Sequence, residues 1–241
     1  MKPTLPTLLS FNGGYVDTVG YLSLQGLFTA HVTGNFVTIG AALVFGTSGV
    51  IAKLLALPVF CIVIVVTRLV SFNLPPRWPI LETMLTLKLL LLLVAAVFAI
   101  AMGPFANGDA APAIIMGITL VSAMAIQNAA HRIHMGTAPP TTLMTGTTTQ
   151  IMIDIADMIR GTNGPARDAI LARLRRMCVA VASFAAGAAA GALFFYAIGS
   201  WCFALPPIIA LLARITAKSS LTPPTARVVR PGPQSATTLA N

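Results

Sequence analysis

The chain has 241 residues, of which 56% are hydrophobic and only 9% charged, with 15 Lys and Arg against 6 Asp and Glu; soluble domains carry about 25% charged residues. So few charges cannot cover a water-facing surface of this size, which excludes an ordinary soluble domain, a coiled coil, a collagen and a disordered chain. A mean hydropathy of +0.87 points instead to a chain solvated by lipid. The net charge of +9 would suit a nucleic-acid binder, but the basic residues sit in short blocks between apolar runs. That is how topology determinants at the cytoplasmic face are arranged, so the expected partner is the bilayer and not a nucleic acid.

At the start of the chain, Lys2 makes a poor signal-peptide n-region. Pro3 and Pro6 break up the stretch behind it and no A-x-A-like site appears, so direct entry into the membrane is expected. Residues 12–28 are helical in character but awkward as a span, with Asp17, two tyrosines and four glycines. Residues 33–45 are apolar but too short to cross, since a crossing needs about 20 residues. Long apolar runs follow at 54–72, 80–102, 113–130 and 177–198, and a shorter one at 201–215. Between them, 145–160 carries Asp154 and Asp157. The tail 218–241, rich in Pro, Thr, Ser and Ala, has the composition of a disordered segment.

Charge placement decides the topology. If 12–28 crosses outward and 33–45 does not cross, then Arg68, Arg77, Arg132, Arg160, Arg167, Arg173, Arg175, Arg176 and the basic tail share one face. The other face keeps Lys53 and the loop 103–112, whose sole charge is Asp109. The positive-inside rule therefore favours about six spans with both termini cytoplasmic, in a bacterial inner membrane. Lys88, about two turns into its helix, is expected to snorkel to the interface. The stretch Thr29-Ala-His-Val-Thr-Gly-Asn35 resembles Thr141-Thr-Leu-Met-Thr-Gly-Thr147 at an offset of 112. Each precedes a short helix and then two long apolar runs. The fold class read from this is all-α, a polytopic transmembrane bundle with two short broken or re-entrant helices and a 3+3 inverted repeat. Its halves fall at about 10–103 and 112–216, with 217–241 a disordered cytoplasmic tail.

Polar groups inside the membrane are expensive and normally face a bundle interior or a water cavity. Asp17, Tyr21 and Gln25 recur at i, i+4 and i+8, a polar stripe along one helix. Asp17 reads either as a proton- or substrate-coupled site or as a structural hydrogen bond between helices. In 145–160, Thr147, Gln150, Asp154 and Asp157 fall at steps of 3, 4 and 3, opposite Ile151, Ile155 and Ile159. That polar face suits either a re-entrant half-helix lining a solute pathway or an interfacial helix. Thr33–Gly34 and Thr145–Gly146 stand before the two short helices, where a hydroxyl can cap and free N–H groups can meet a solute. His31 reads either as polar pathway lining or as a simple interface position. His131 and His134 flank Arg132 and lack metal-ligand spacing, so neither a metal nor another cofactor is expected. Gln127–Asn128 reads more naturally as an interhelical clasp than as a site.

Cys61, Cys178 and Cys202 have no CxxC spacing and read as small apolar-run residues. Enzyme chemistry finds no support: there is no GxSxG, no Walker A loop and no paired Cys/His set, and nothing places a base near Ser23 or Ser122.

Gly14-Tyr-Val-Asp-Thr-Val-Gly-Tyr21, Phe28-Thr-Ala-His-Val-Thr-Gly-Asn-Phe36, Gln127-Asn-Ala129 and Thr141-Thr-Leu-Met-Thr-Gly-Thr-Thr-Thr-Gln150 together resemble the YoaK-like bacterial membrane proteins of unknown function, over roughly residues 8 to 216. The chain departs from them at Ala125, where the family tends to have glycine. The resemblance implies a multi-spanning protein, usually with six spans, and supplies no substrate.

The expected function is that of a small-solute transporter or channel-like protein, proton-coupled through Asp17. Asp17, Tyr21, Gln25, His31, Thr33, Gly34 and Asn35 from one half would face Thr145, Gly146, Thr147, Gln150 and Asp154 from the other, with Gln127 and Asn128 nearby. The solute is unknown, and the composition is compatible with a homo-oligomer. The alternative is a non-transporting membrane scaffold or partner-binding subunit.

Overall fold

The computed structural model describes residues 3–75 and 77–221. All its regular elements are helical among the described residues: α1 (Leu5–Ser23), α2 (Asn35–Phe45), α3 (Val50–Asn73), α4 (Ile80–Met102), α5 (Ala111–His134), α6 (Met144–Ile159), α7 (Pro165–Ile198) and α8 (Leu205–Leu221). Short 3-10 turns, Val32–Gly34 and Gly199–Ala204, lead into α2 and α8.

Several boundaries differ from the sequence reading for local reasons. Helix α1 begins at Leu5 rather than 12, because Thr4 caps it, its Oγ1 accepting from the Thr7 N–H at 3.5 Å. Pro6 sits in the first turn, where a missing N–H costs nothing, so it starts a helix rather than interrupting one. The same helix stops at Ser23, and Gln25 follows with φ +54. Helix α7 begins at Pro165 rather than 177, so the arginine block extends a continuous helix. Lys218 lies on α8, and the remainder of the expected disordered tail, 222–241, lies outside the described residues.

Among the described residues, four helical stretches are long and apolar enough to cross a membrane: Val50–Asn73, Ile80–Met102, Ala111–His134 and the 55-residue stretch Pro165–Ser219, which takes in α7 and most of α8. Helix α1 lies outside that set. Helix α1 packs along α7 and α8, α5 packs along α3 and α4, and α4 also meets α8. The short helices sit on the flanks, α2 against α3 and α6 against α7. The centre belongs to α5, whose most apolar window is 67% buried against 17% for α3. Tyr15, Val19, Leu24 and Leu27 meet Met116, Leu120, Met124 and Phe203 in the main core. Outside, Val37, Phe45, Val97 and Tyr196 are more than half exposed, whereas Asp17, Lys88, Gln127 and Asp154 are buried. An apolar exterior around polar groups is the arrangement lipid demands.

The tightest crossing is α1 on α7. A Cβ on Gly14 would lie 2.1 Å from the Phe184 carbonyl oxygen, and one on Gly187 would lie 2.0 Å from that of Phe11. Only glycine lets these backbones touch.

Two connections fold back into the bundle. After α1 ends at Ser23, the chain returns until the N–H groups of Thr29 and Ala30 reach Asp17. Asp17 is about 9 Å below the helix end at 1.5 Å per residue. After α5 ends at His134, the chain again returns until Thr141 and Thr142 reach Gln127 and Asn128. Helices α2 and α6 therefore each begin just after a returned connection, at Asn35 and Met144. At its far end, α2 leads to Gly49 and Ile51, whose N–H groups donate to the Asp109 carboxylate at 2.8 and 2.9 Å.

Lys88 does not snorkel. Its side chain is fully buried and its ammonium donates to Gln127 Oε1, because α4 faces α5 and α8 at this level and no route to the interface is open.

Candidate functional site

Asp17 organises the first fold-back. Its Oδ1 accepts from the N–H groups of Thr29 and Ala30, each at 2.7 Å, and from Thr29 Oγ1 at 3.2 Å. Its Oδ2 lies 2.6 Å from His31 Nδ1, and a carboxylate acceptor makes that nitrogen the donor. The loop bends where it does because Gln25 and Gly26 both take positive φ, with the Gly26 N–H on the Tyr21 carbonyl. Asn35 then pins Phe28, accepting from its N–H at 2.8 Å and donating to its carbonyl at 2.9 Å.

These contacts build one wall of a cavity of about 570 Å³ lined by Asp17, Thr18, Tyr21, Phe28, His31, Thr33, Gly34 and, from α7, Phe184. The rings form a continuous arc: Tyr21 to Phe28 at 4.9 Å, Phe28 to His31 at 6.2 Å, His31 to Phe184 at 5.5 Å between centroids.

The second fold-back is held by amides. Gln127 Nε2 donates to the Leu9 carbonyl at 2.9 Å and to Thr141 Oγ1 at 3.1 Å. Asn128 Oδ1 accepts from Thr142 Oγ1 at 2.7 Å. Gln127 and Asn128 are thus a clasp between helix and loop, and do not line the cavity. The two fold-backs come together where the His31 ring lies beside the Thr142 backbone.

Several expected site residues are placed elsewhere. Gln25 lies beyond the end of α1 and donates weakly to the carbonyls of Phe105 and Ala106, at 3.5 and 3.4 Å; the i+8 stripe ran past the helix. Asn35 is buried and committed to Phe28, so it braces the loop. Thr145 lies against an outer groove of α6 with Thr148, Thr149 and Met152, apart from the Asp17 cavity. Gly146 has nothing within 4 Å of its Cβ position. Neither threonine caps its helix: Gly34 and Leu143 hold the cap positions without a side-chain bond.

Part of the polar face of α6 is turned inward, but onto α7. Thr147 is buried and donates to the Leu143 carbonyl. Asp154 is fully covered and accepts from Arg173 Nε at 2.8 Å and Nη2 at 2.5 Å, and from Gln150 Nε2 at 2.8 Å. Ile155 and Ile159 are exposed. Ile151, however, is buried and Asp157 is exposed, so only part of the polar face turns inward, and Asp154 there serves an ion pair. The Thr145–Asp154 set and the Asp17–Asn35 set do not share a cavity.

Sequence reasoning missed Arg173, Phe184 and the inward Lys88. Arg173 lies 19 residues from Asp154 on another helix, and no spacing rule connects them. The signal available for Lys88 was its position inside an apolar run. Among the described residues, no three His, Cys, Asp or Glu side chains gather as a metal would need.

Comparison with known proteins gives two findings. The profile of a family described as "Protein of unknown function (DUF1275)" matches residues 5–216. The chain is also similar to the UPF0700 transmembrane protein YoaK of Bacillus subtilis (strain 168), at 36% identity over 160 residues, 64% of this chain and 68% of that one. No solved structure matches.

Proposed function

We propose, for a chain that belongs to the DUF1275 family, the role of a small-solute transporter or channel-like protein of the bacterial inner membrane, coupled to protons through Asp17 and His31. The observation that carries this reading is the carboxylate–imidazole pair at 2.6 Å on the wall of a 570 Å³ cavity. It sits where the chain doubles back inside an apolar bundle. An ionisable group at such a place is a functional site by default, and histidine is the side chain whose ordinary titration falls near neutrality.

The topology that fits has six crossings, α1, α3, α4, α5, α7 and α8, with α2 and α6 as re-entrant half-helices and both termini cytoplasmic. Support comes from the packing partners, which exchange under the pairing of α1 with α5, α2 with α6, α3 with α7 and α4 with α8. The contact α1–α7 becomes α5–α3, α1–α8 becomes α5–α4, α2–α3 becomes α6–α7, and α4–α8 maps onto itself. The 112-residue offset places Thr29 and Ala30 on Thr141 and Thr142, the residues held by Asp17 in one half and by Gln127 and Asn128 in the other. Three crossings per half give opposite orientations.

In this mechanism the Asp17–His31 pair takes and releases a proton, Tyr21 and the backbone at Thr33–Gly34 face the solute, and movement at the junction of the loops changes access. Flux into proteoliposomes tests it. For an established solute, Asp17→Asn and His31→Gln should each cut proton-driven uptake by about tenfold or more. Unchanged uptake in both would sink the reading.

A non-transporting scaffold is the second reading. It draws on Gln127, Asn128 and Asp154, which are all spent on holding helices and loops together. No enzymatic step belongs to either proposal.

A further inference from the structure

We infer that the Asp17 cavity binds a small lipophilic organic cation, an ammonium with apolar substituents, in competition with the proton on His31. The inference deepens the transport reading and rests on it for the exchange, though not for the binding itself.

The lining selects the ligand. Three carbocyclic rings, Tyr21, Phe28 and Phe184, and the His31 imidazole surround the space, and Asp17 is the acid among the lining residues, which include no Lys or Arg. Aromatic faces carry negative electrostatic potential and hold cations that shed little hydration, above all substituted ammonium groups. A carboxylate within the same wall supplies the formal charge. The volume of about 570 Å³ falls in the usual range for a drug-sized ligand, roughly 300–1,000 Å³. At the rim, Leu22 and Ala192 are exposed and apolar, so a ligand that partitions into lipid can arrive from the side.

The charge of the pair sets the competition. With His31 neutral, Asp17 and His31 together carry −1; with His31 protonated, they carry zero. Among the described residues, the titratable groups beside His31 are Asp17 and Tyr21 from α1; the α7 lining adds none, and the second fold-back brings an uncharged group, the Thr142 backbone. A proton on His31 and a cation in the cavity therefore oppose each other directly. The start of α2, at Gly34, also borders the space and would favour an anion. A helix end acts as about half a charge at most, and the loop N–H groups at Thr29 and Ala30 already donate to Asp17. The full carboxylate charge prevails.

The test uses the full-length protein in detergent and calorimetry with three probes: phenyltrimethylammonium, its uncharged carbon isostere tert-butylbenzene, and benzenesulfonate. The ammonium should bind at least about tenfold more tightly than the other two. Its affinity should rise with pH as His31 gives up its proton, and His31→Gln should flatten that rise. Asp17→Asn risks releasing the loop, so Tyr21→Leu and Phe184→Leu are the working variants. Each should weaken the ammonium about tenfold while leaving the melting temperature within a few degrees. Equal binding of tert-butylbenzene would reduce the cavity to a greasy groove and overturn the inference, as would tighter binding of benzenesulfonate or no effect of either variant. A pH-independent affinity would overturn the competition. Failure of the transport reading is separately visible: the ammonium would then bind normally without crossing proteoliposome membranes.

Discussion

Single residues set how closely this bundle closes. Gly187→Val forces a side chain into the Phe11 carbonyl, where even a Cβ would sit at 2.0 Å. Overpacking typically costs about 1–3 kcal/mol, occasionally more, and a clash with backbone belongs at the upper end. A clear fall in melting temperature is expected, whereas Gly146→Val, with nothing within 4 Å, should leave it nearly unchanged. Asp17 stood out in the sequence because acids are scarce there. His31 was also singled out, but its pairing with Asp17 was not legible, because helical periodicity describes residues within one helix and His31 lies beyond a bend. The same limit explains Gln25: the i, i+4, i+8 pattern is valid only while the helix lasts, and it ends at Ser23.

At the level of the element, α6 shows what a polar stripe means in lipid. Its periodicity was legible, but the direction it faces was not, since a stripe on a helix fits a pathway and a protein contact equally well. Here it meets Arg173, and the pair is half dry: Asp154 is fully covered while the Arg173 side chain is 42% exposed. Arg173→Met leaves a covered carboxylate without its cation, which should lower the melting temperature, though by less than breaking a fully buried pair because the arginine is 42% exposed. Removing both partners, with Asp154→Leu added, should restore most of that stability. A double-mutant cycle by thermal unfolding in detergent checks it, and additive losses would contradict the pairing. In the α1–α2 connection, Asn35→Ala removes both bonds to Phe28 and should destabilise the fold by about 1–3 kcal/mol, mainly by freeing that loop.

Over the whole molecule, the sequence already carried the all-helical class and α4 to the residue, because apolar run length is a direct physical requirement. The fold-backs were signalled only by short polar motifs, and the pairing of helices across the bundle by none. The proposed topology predicts that a cysteine at Ala106 is labelled by an impermeant reagent from the periplasmic side and one at Thr162 only from the cytoplasmic side; the reverse pattern would invert the orientation. The buried Lys88 has a further consequence, one that concerns assembly in time. A lysine near the middle of an apolar helix opposes entry into lipid by roughly 3 kcal/mol. The group that satisfies it, Gln127, is 39 residues further along and is still inside the ribosome when α4 emerges from it. Helix α4 is therefore an incomplete guest of the bilayer until α5 arrives, and the two should enter as a hairpin. A chain stopped at Ala110 should leave α4 open to protease, and one extended past Thr142 should protect it.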